Sequence, residues 1–586
     1  MGQLSEVWKM KDTEAVDEIT KHQGYLETIR RDYEPLWQDV IDYLAYDRYN
    51  FLQNKQRGKK ANINVFDGTP IAAWNLLVNG MQGNTVSQAQ RWFTLTLPNV
   101  ITFPRTSPMR QYNGRLDEIP EVKMWLEAKE DVLYSGFQRS NFYSEINTDI
   151  RDASSIGTAT LYAEEDVPGR KTNFISVDPG QVWIAENRYG VIDTVFRKFK
   201  LTARAAVQMF DKELLSQTLQ TQLEKNPYTE YEFIHACFPR NDQEMYFDNG
   251  VLKPKIGKNN KAFVSIYIQA GNKEHVLRKD GYDRMPYSVW RWRKTSGPYG
   301  WSCAMDAIID IIKLNVMSKT MLNAAQLAVE PPLMVHKKFQ GKVRMNPRGK
   351  NYYEKEDERI YPVNQGVNFA IAEDREEKVR QIIKDHFNVD FFMMLSKAAM
   401  EGRQLTVPQV MEMQGEKASV MMPTVGQMIA ERLQPIIDIV DSIETEAGRM
   451  PDPPEILMPF AGQGIEVDYM GPLAMAQKRI LKTQGIYQGI GALDPMLKID
   501  PQAADLIDVD ETTREILKVS GWPAKAIRTA DQVQAIREQR AQAQAEAQQM
   551  ALAEMAAKNL PNVSKAIEPG SPLGALGQII GGGGEE

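Results

Sequence analysis

Cysteine is scarce: the 586 residues contain two, Cys237 and Cys303. Two thiols cannot make a disulfide framework, and so low a count points to a reducing compartment. The five histidines (His22, His235, His275, His336, His386) are scattered. His235 with Cys237 would make at most a pair of ligands on one strand face, where a structural zinc site wants four, so no metal is expected. The most apolar stretch, 301–329, carries Asp306, Asp310, Lys313 and Lys319, and each would cost a few kcal/mol at bilayer depth, which excludes a membrane span. The N-terminus, MGQLSEVWKMKDTEAVDE, lacks the apolar run of a secretory signal. There is no G-x-x-x-x-G-K-[ST] loop, no G-x-G-x-x-G after a strand and no G-x-S-x-G elbow. Gly485, Gly489 and Gly491 have the wrong spacing and context, and Glu164-Glu165-Asp166 reads as a solvated turn. No catalytic residue and no cofactor is therefore expected. An excess of positive charge is missing too: 70 Lys and Arg against 77 Asp and Glu give a net charge of −7. That argues against a protein that coats nucleic acid, but not against one that DNA merely passes.

What is present belongs to a large folded protein: 42% hydrophobic and 25% charged residues, in a chain too long for one core. The chain is organised around GPYGWSCAMDAIIDIIKLNVMSKTMLNAAQLAVEPP, Gly297 to Pro332. Between Trp301 and Val329 there is no Gly or Pro, so a helix about 43 Å long can run unbroken. Trp301, Met305, Ile308, Ile309, Ile312, Val316, Met317, Met321 and Leu322 cover most of its circumference, leaving Asp306, Asp310 and Lys313 as a narrow polar stripe. Such a helix needs neighbours on two sides. Two settings supply them: an ordinary large core, or a ring in which copies pack side by side with one face toward a lumen.

Residues 13–47 read as helix with a restart near Pro35, since Trp37, Val40, Ile41 and Leu44 share a face. Thr69 is expected as N-cap and Pro70 as first helical residue of a helix carrying Trp74, Leu77, Val78 and Met81. Phe93, Leu95 and Leu97 alternate with Thr94 and Thr96, a half-buried strand. One helical region is expected from Val122 to about Asp152. Strand-like runs follow at Thr158–Tyr162, Gln181–Ala185, Val191–Phe199, Phe263–Ile268 and Tyr287–Trp292, with a helical insertion from Thr202 to Leu223. This predicts an α+β body, predominantly helical overall.

After Pro332 comes a short irregular segment bearing Lys337, Lys338, Lys342, Arg344, Arg348 and Lys350, ahead of Glu354, Glu356, Asp357 and Glu358. A second helix follows at about Arg375–Leu395, through Val379, Ile382, Ile383, Phe387 and Phe391. If the two helices pack antiparallel, the ends of the segment between them meet, giving a hairpin with a basic knob at its tip. The knob is either a solvated loop or a surface for an acidic partner or a DNA backbone. A polar connector, Ser396–Thr406, carries Lys397 and Arg403. The apolar helical region beyond it is expected to break at Pro423, Gly426 and Pro435. Methionine is dense around the connector and this region (Met393, Met394, Met400, Met411, Met413, Met421, Met422, Met428) and reads as adaptable core filler rather than a special Met surface. Asp531–Lys558 is helical by propensity but marginal alone, so it is either a solvated helix or one stabilised by copies of itself. Residues from Pro561 to Glu586 should be disordered.

These elements, taken in order, resemble the portal proteins of tailed bacteriophages, specifically the head-to-tail connecting proteins of short-tailed, podovirus-type phages. The resemblance rests on Glu34-Pro35-Leu36-Trp37, Asp67-x-Thr69, Trp92-Phe93-x-Leu95, Ser140-Asn141-Phe142-Tyr143, Gly157-Thr158-Ala159 and Thr202-Ala203-Arg204. It continues in Glu330-Pro331-Pro332, in Arg403-x-x-Thr406-x-x-x-Val410 with Glu431 and Pro435, and in Tyr469-Met470-Gly471-Pro472-Leu473-Ala474. DVDETTREILKVSGWP followed by QVQAIREQRAQAQ completes it. The chain departs from the family at Pro423, inside a helix usually long there, and in its short Gly-rich tail.

The resemblance implies a homo-oligomeric ring of about twelve subunits at one capsid vertex. It divides the chain into a wing (1–296 and 407–470), a stem of two helices (297–330 and 372–395) and a clip (331–371). A tunnel loop (396–406), a crown with a C-terminal barrel helix (471–560) and a disordered tail (561–586) complete the division. Trp301, Met305, Ile308, Ile312 and Val316 would pack the stem helix. Lys337, Lys338, Lys342, Arg344, Arg348 and Lys350 would form the clip surface, and Lys397 and Arg403 would face DNA in the channel. The implied partners are the terminase large subunit, tail adaptor and head-completion proteins, major capsid and scaffolding proteins, and double-stranded DNA passing non-specifically, with no membrane. The implied place is the head–tail junction of a virion assembled in the host cytoplasm, and the implied role is not enzymatic. Two other classes stay open from sequence: a different virion structural protein, such as a scaffold or internal core component, and a metal-dependent nucleic-acid enzyme.

Overall fold

The chain opens with two helices, α1 (Asp12–Arg31) and α2 (Glu34–Tyr43); Pro35 in the first turn of α2 sets the restart. The computed structural model describes residues 4–46, 65–98, 119–166, 169–241, 260–335 apart from 273, 369–393, 420–460, 465–471, 509–519 and 530–563, with a few short stretches between these. Trp37, Val40, Ile41 and Leu44 are buried, as their spacing predicts. In α3 (Thr69–Thr85), Thr69 is the first helical residue and not the cap. The side chain that satisfies the helix start is Asp67, which accepts the Thr69 N–H at 2.8 Å.

Strand β1 (Phe93–Thr96) buries alternate residues. The helical region expected from Val122 to about Asp152 consists of two helices, α4 (Pro120–Arg139) and α5 (Phe142–Ile156). Ser140 between them is extended, and its hydroxyl accepts the Phe142 N–H at 3.2 Å. Gly157 closes α5 at φ +83°, where a Cβ would overlap the carbonyl of Gly300, so both conformation and space require glycine.

The strands that follow are β2 (Thr158–Asp166), β3 (Lys171–Val177), β4 (Val182–Glu186) and β5 (Ile192–Thr202). After the helical insertion, α6 (Ala203–Met209) and α7 (Gln217–Lys225), come β6 (Glu230–Pro239), a small hairpin of β7 (Met245–Asp248) and β8 (Val251–Pro254), then β9 (Phe263–Gln269), β10 (Val276–Tyr282) and β11 (Tyr287–Arg291). They form an antiparallel five-stranded sheet, β10-β9-β6-β5-β4, and a three-stranded one, β11-β2-β3. The larger sheet is covered on both faces. Val16, Ile19 and Leu26 of α1 pack on Trp183, Phe196, Ile234 and Ile266, while Ala203, Ala206, Phe210 and Leu219 of α6 and α7 pack on Phe199, Phe233 and Tyr267.

The long helix, α8 (Cys303–Val329), is continuous over 27 residues, about 40 Å. The Ser302 hydroxyl caps it, accepting the Met305 N–H at 3.0 Å and donating to the Ser155 carbonyl at 2.6 Å. Beyond α8, β12 (Leu333–Met334) pairs antiparallel with β13 (Tyr361–Pro362), bringing the ends of the intervening segment together. Helix α9 (Phe369–His386) then runs back along α8: His386 lies 3.7 Å from Asp310, and Ser318 and Arg380 both reach Asp67. It starts before the expected residue and does not reach 395. Asn388, at φ +51°, ends it and a separate turn, α10 (Val389–Phe392), follows.

The expected breaks at Gly426 and Pro435 do not occur. Residues 420–446 are helical throughout, with Pro423 in the first described turn, a π-helical turn at Ile429–Leu433 and then α11 (Gln434–Glu446). The π turn is what accommodates Pro435. The carbonyl four residues back, on Glu431, cannot be paired by proline and instead accepts the Ser288 hydroxyl at 2.9 Å. Strand β14 (Glu466–Tyr469) pairs antiparallel with β1.

Residues up to Ile480 form one compact unit and Leu481–Glu586 a second. The second contains α12 (Val509–Val519) and α13 (Ala530–Val563), joined by a two-pronged pair from Arg537 to Asp510 at 2.6 and 2.7 Å. Helix α13 passes the expected end at Lys558 and holds Pro561 in its last turn. The remaining tail, 564–586, lies outside the described residues.

Candidate ring and docking surfaces

Burial along α8 changes character near its middle. From Cys303 to Asn315 the helix is largely inside its own chain, against α2, α5 and α9. Met305 and Ile308 are buried, and Trp301 and Ile312 are half-buried against the same core. Ile309 is 76% exposed and Val316 57% exposed. Beyond Val316 only Met317, Ser318, Met321 and Ala324 are half-buried, and Leu322, Leu327 and Val329 join the exposed apolar side chains. The five residues expected to pack this helix thus divide: four serve the subunit's own core, and Val316 faces away from it. Ile309 is the additional exposed residue on that side, seven residues from Val316 and so two turns away on one face. On α9, Val379 and Ile383 are buried and Ile371 and Ile382 exposed. Large aliphatic side chains left open on both members of a helix pair mark a surface that something covers.

The pair is fastened by the segment before α3. Asp67 accepts from Arg380 Nε at 2.9 Å and from the Ser318 hydroxyl at 3.4 Å, while the Asn315 side-chain oxygen accepts the Phe66 N–H at 2.7 Å. Burial works against charge on Asp67, but its bonds from Thr69 and Arg380 outweigh it and hold the carboxyl below its ordinary pKa.

The π turn also aims two successive charges inward. The fully buried Arg432 donates to both oxygens of the fully buried Asp149, at 2.8 and 2.7 Å, to the Ala159 carbonyl at 2.9 Å and to the Ser288 carbonyl. Its neighbour Glu431 pairs with Arg291, which also reaches Glu186 at 3.0 Å. These bonds tie residues 429–433 to the body made of α5, β2, β4 and β11. Sequence reading assigned Arg432, Asp149 and Arg291 no role, because charge in a helix reads as solvated until its partner is seen.

Glu130 on α4 holds β1 in place, accepting the Leu95 N–H at 2.7 Å and pairing with Arg91 at 3.2 Å. Desolvation outweighs both and pushes its pKa from 4.5 up to about 7. Between those two values the folded chain keeps a proton that the unfolded chain has released, so stability falls as pH rises through this window. Thermal unfolding followed between pH 5 and 7.5 should show that decline, and Glu130→Gln should flatten it; an equally steep decline in the variant would remove Glu130 as its cause.

His235 is completely enclosed, 2.6 Å from the Tyr287 hydroxyl and 2.9 Å from that of Ser265, and stacked on Tyr267. Burial drives its pKa well below the ordinary value. Cys237 faces the Met285 sulfur at 3.5 Å. Among the described residues there is no group of three or more potential metal ligands, and no helix long and apolar enough to cross a membrane.

At the far end of the hairpin, Lys337, Lys342, Arg344 and Lys350 are exposed. Asn351 bonds both backbone groups of Arg344, at 2.8 and 3.1 Å. Lys338 and Arg348 lie outside the described residues, as do Lys397, Arg403 and the whole of 396–406. Residues 331–371 carry eight Lys and Arg against four Asp and Glu, a positive tip on a chain of net charge −7.

The chain is 27% identical over 569 residues to the portal protein of Salmonella phage epsilon15, covering 95% of this chain and 96% of that one. It is 28% identical over 540 residues to the probable portal protein of Bordetella phage BPP-1, covering 90% and 92%. The profile of the bacteriophage head to tail connecting proteins matches residues 16–527, from α1 through α12. With that match spanning both compact units, the chain belongs to the bacteriophage head-to-tail connecting protein family, the portal proteins of phage heads.

Proposed function

We propose that about twelve copies form a ring at one capsid vertex, through which a separate motor drives double-stranded DNA into the head and DNA later leaves, and to which tail adaptors attach. The observation that carries this reading is the split character of α8: apart from Ile309, the apolar side chains of its first half are packed by its own chain, and those of its second half are largely open. A ring covers the open face with a neighbouring copy. In this reading 1–296 and 407–470 are the wing, 297–330 and 372–395 the stem, 331–371 the clip, 396–406 the tunnel loop and 471–560 the crown. The largely exposed residues 532–551 of α13 fit a helix that gains its neighbours from other copies.

The protein's work is mechanical. Tight multivalent phosphate binding would stall a moving duplex, so an acidic chain with sparse Lys and Arg at the channel, Lys397 and Arg403, meets the need for weak, sequence-independent contact. The terminase large subunit docks on the clip during packaging and the adaptors follow; capsid and scaffolding proteins surround the wing, in the virion's head–tail junction. Complementing a portal-deficient phage with a variant carrying Ala at Lys337, Lys342, Arg344 and Lys350 tests this. The expected result is assembled heads that contain the ring but little DNA. Filling at the normal yield would show that these charges do not serve the motor, and heads without rings would reassign them to assembly.

A further inference from the structure

The basic tip also carries apolar side chains that charge alone does not explain. Tyr352 is 83% exposed, Met334 64% and Tyr361 49%. Met334 and Tyr361 are direct partners in the β12–β13 ladder, so their backbones are held side by side. Arg359 lies over the Tyr361 ring at 5.7 Å. Tyr352 directly follows Asn351, whose two bonds to Arg344 fix the chain there. Two tyrosines and a methionine, with Arg359 against one ring and Arg344 bonded to the residue preceding the other, are of the residue types enriched at the centres of protein–protein contacts, although Glu354, Glu356, Asp357 and Glu358 lie between the tyrosines in sequence. Contacts to a DNA backbone require no such anchors, because phosphate is met by cations and polar hydrogens.

We propose that Tyr352 and Tyr361, with Met334, are the anchors of a protein-docking surface whose partner is acidic around apolar pockets that receive the two rings. This rests on the portal reading and sharpens it: the exposed lysines and arginines speed and orient the encounter, while the rings hold the complex. The charge of the tip selects the partner's sign, since the surrounding chain is negative and would repel another acidic surface elsewhere.

The test uses purified rings of the full chain, with the terminase large subunit and the first tail adaptor of the same phage as separate probes in a binding titration. Tyr352→Ala with Tyr361→Ala should weaken at least one of the two by about tenfold or more while the rings stay intact in electron micrographs. The Tyr→Phe pair should keep most of the affinity, because ring burial and not the hydroxyl carries it. Lys337→Glu with Lys342→Glu should instead slow association and lessen its salt dependence. Unchanged affinity in the double alanine variant overturns the proposal. So does loss of rings, which would make the occupant another copy, or a defect confined to DNA retention, which would make it DNA. If the unaltered rings bind neither probe, the docking role of the tip itself fails, and the anchors fall with it.

Discussion

Arg432→Leu should lower stability by about 3–5 kcal/mol, because it leaves the carboxylate of Asp149 buried and without its charge partner. No water reaches either side chain, and the guanidinium also serves the carbonyls of Ala159 and Ser288. The loss therefore reaches three elements: α5 through Asp149, β2 through Ala159 and β11 through Ser288. Chemical denaturation of the purified variant would show a midpoint far below that of the parent chain, or the variant would collect in the insoluble fraction. Adding Asp149→Leu should recover part of the loss, since replacing both members of a buried ion pair by apolar groups costs much less than removing one. A double variant no better than the single would mean that the two carbonyls, and not the carboxylate, account for the cost.

The second large effect belongs to assembly. Ile309→Asp with Val316→Asp should leave the fold of the isolated chain nearly unchanged, as both side chains already stand in solvent at 76% and 57% exposure. It should abolish rings. A carboxylate driven into an apolar contact costs several kcal/mol, and in a closed ring the same cost recurs at every contact. Circular dichroism and thermal melting would report the intact fold, and electron microscopy the missing rings. Met305→Asp makes the opposite control: its side chain is buried in the chain's own core, so that variant should fail at folding. Rings formed normally by the double aspartate variant would place the contact between copies elsewhere.

Most of the architecture could be read from the residues, because it depends on local signals. The long helix announces itself by its length without Gly or Pro and is stopped by Pro331-Pro332. Strands β2, β4, β5, β9 and β11 show β-branched and aromatic runs, whereas β3, β6, β7, β8 and β10 are not singled out from the sequence. The hairpin follows from two helices flanking a short segment, and the pairing of Leu333 with Pro362 supplies the closure it requires. The misplaced features depend either on a partner distant in sequence or on a single residue whose backbone role periodicity does not show, as with Ser140 between α4 and α5 and Asn388 after α9. Pro435 reads as a helix breaker until Ser288, far upstream, is found satisfying the carbonyl it orphans. Thr69 looks like the cap because the hydroxyl type fits, but Gly68 holds the cap position, and Asp67 accepts the Thr69 N–H and binds Arg380 as well.

The site was legible only in part. Periodicity showed that α8 is apolar nearly all round, but not where along its length the subunit's own core ends. Met305 and Val316 therefore look equivalent in sequence, and in the fold one is buried and the other open. The basic residues of the tip were plain from charge. Tyr352, Tyr361 and Met334 were not, because an aromatic residue in an irregular segment reads as ordinary packing until its exposure is known. The inward pairing of Arg432 with Asp149 left no local trace at all.

The central claim is that the open half of α8 is covered by further copies of the same chain around a channel. Native mass measurement of the purified full-length protein tests it most directly. From a 66.6 kDa chain, a ring of about twelve gives a species near 800 kDa, seen end-on as an annulus with a central hole. A single well-folded 66.6 kDa species persisting at high concentration, with Ile309 and Val316 still open to solvent, would contradict it.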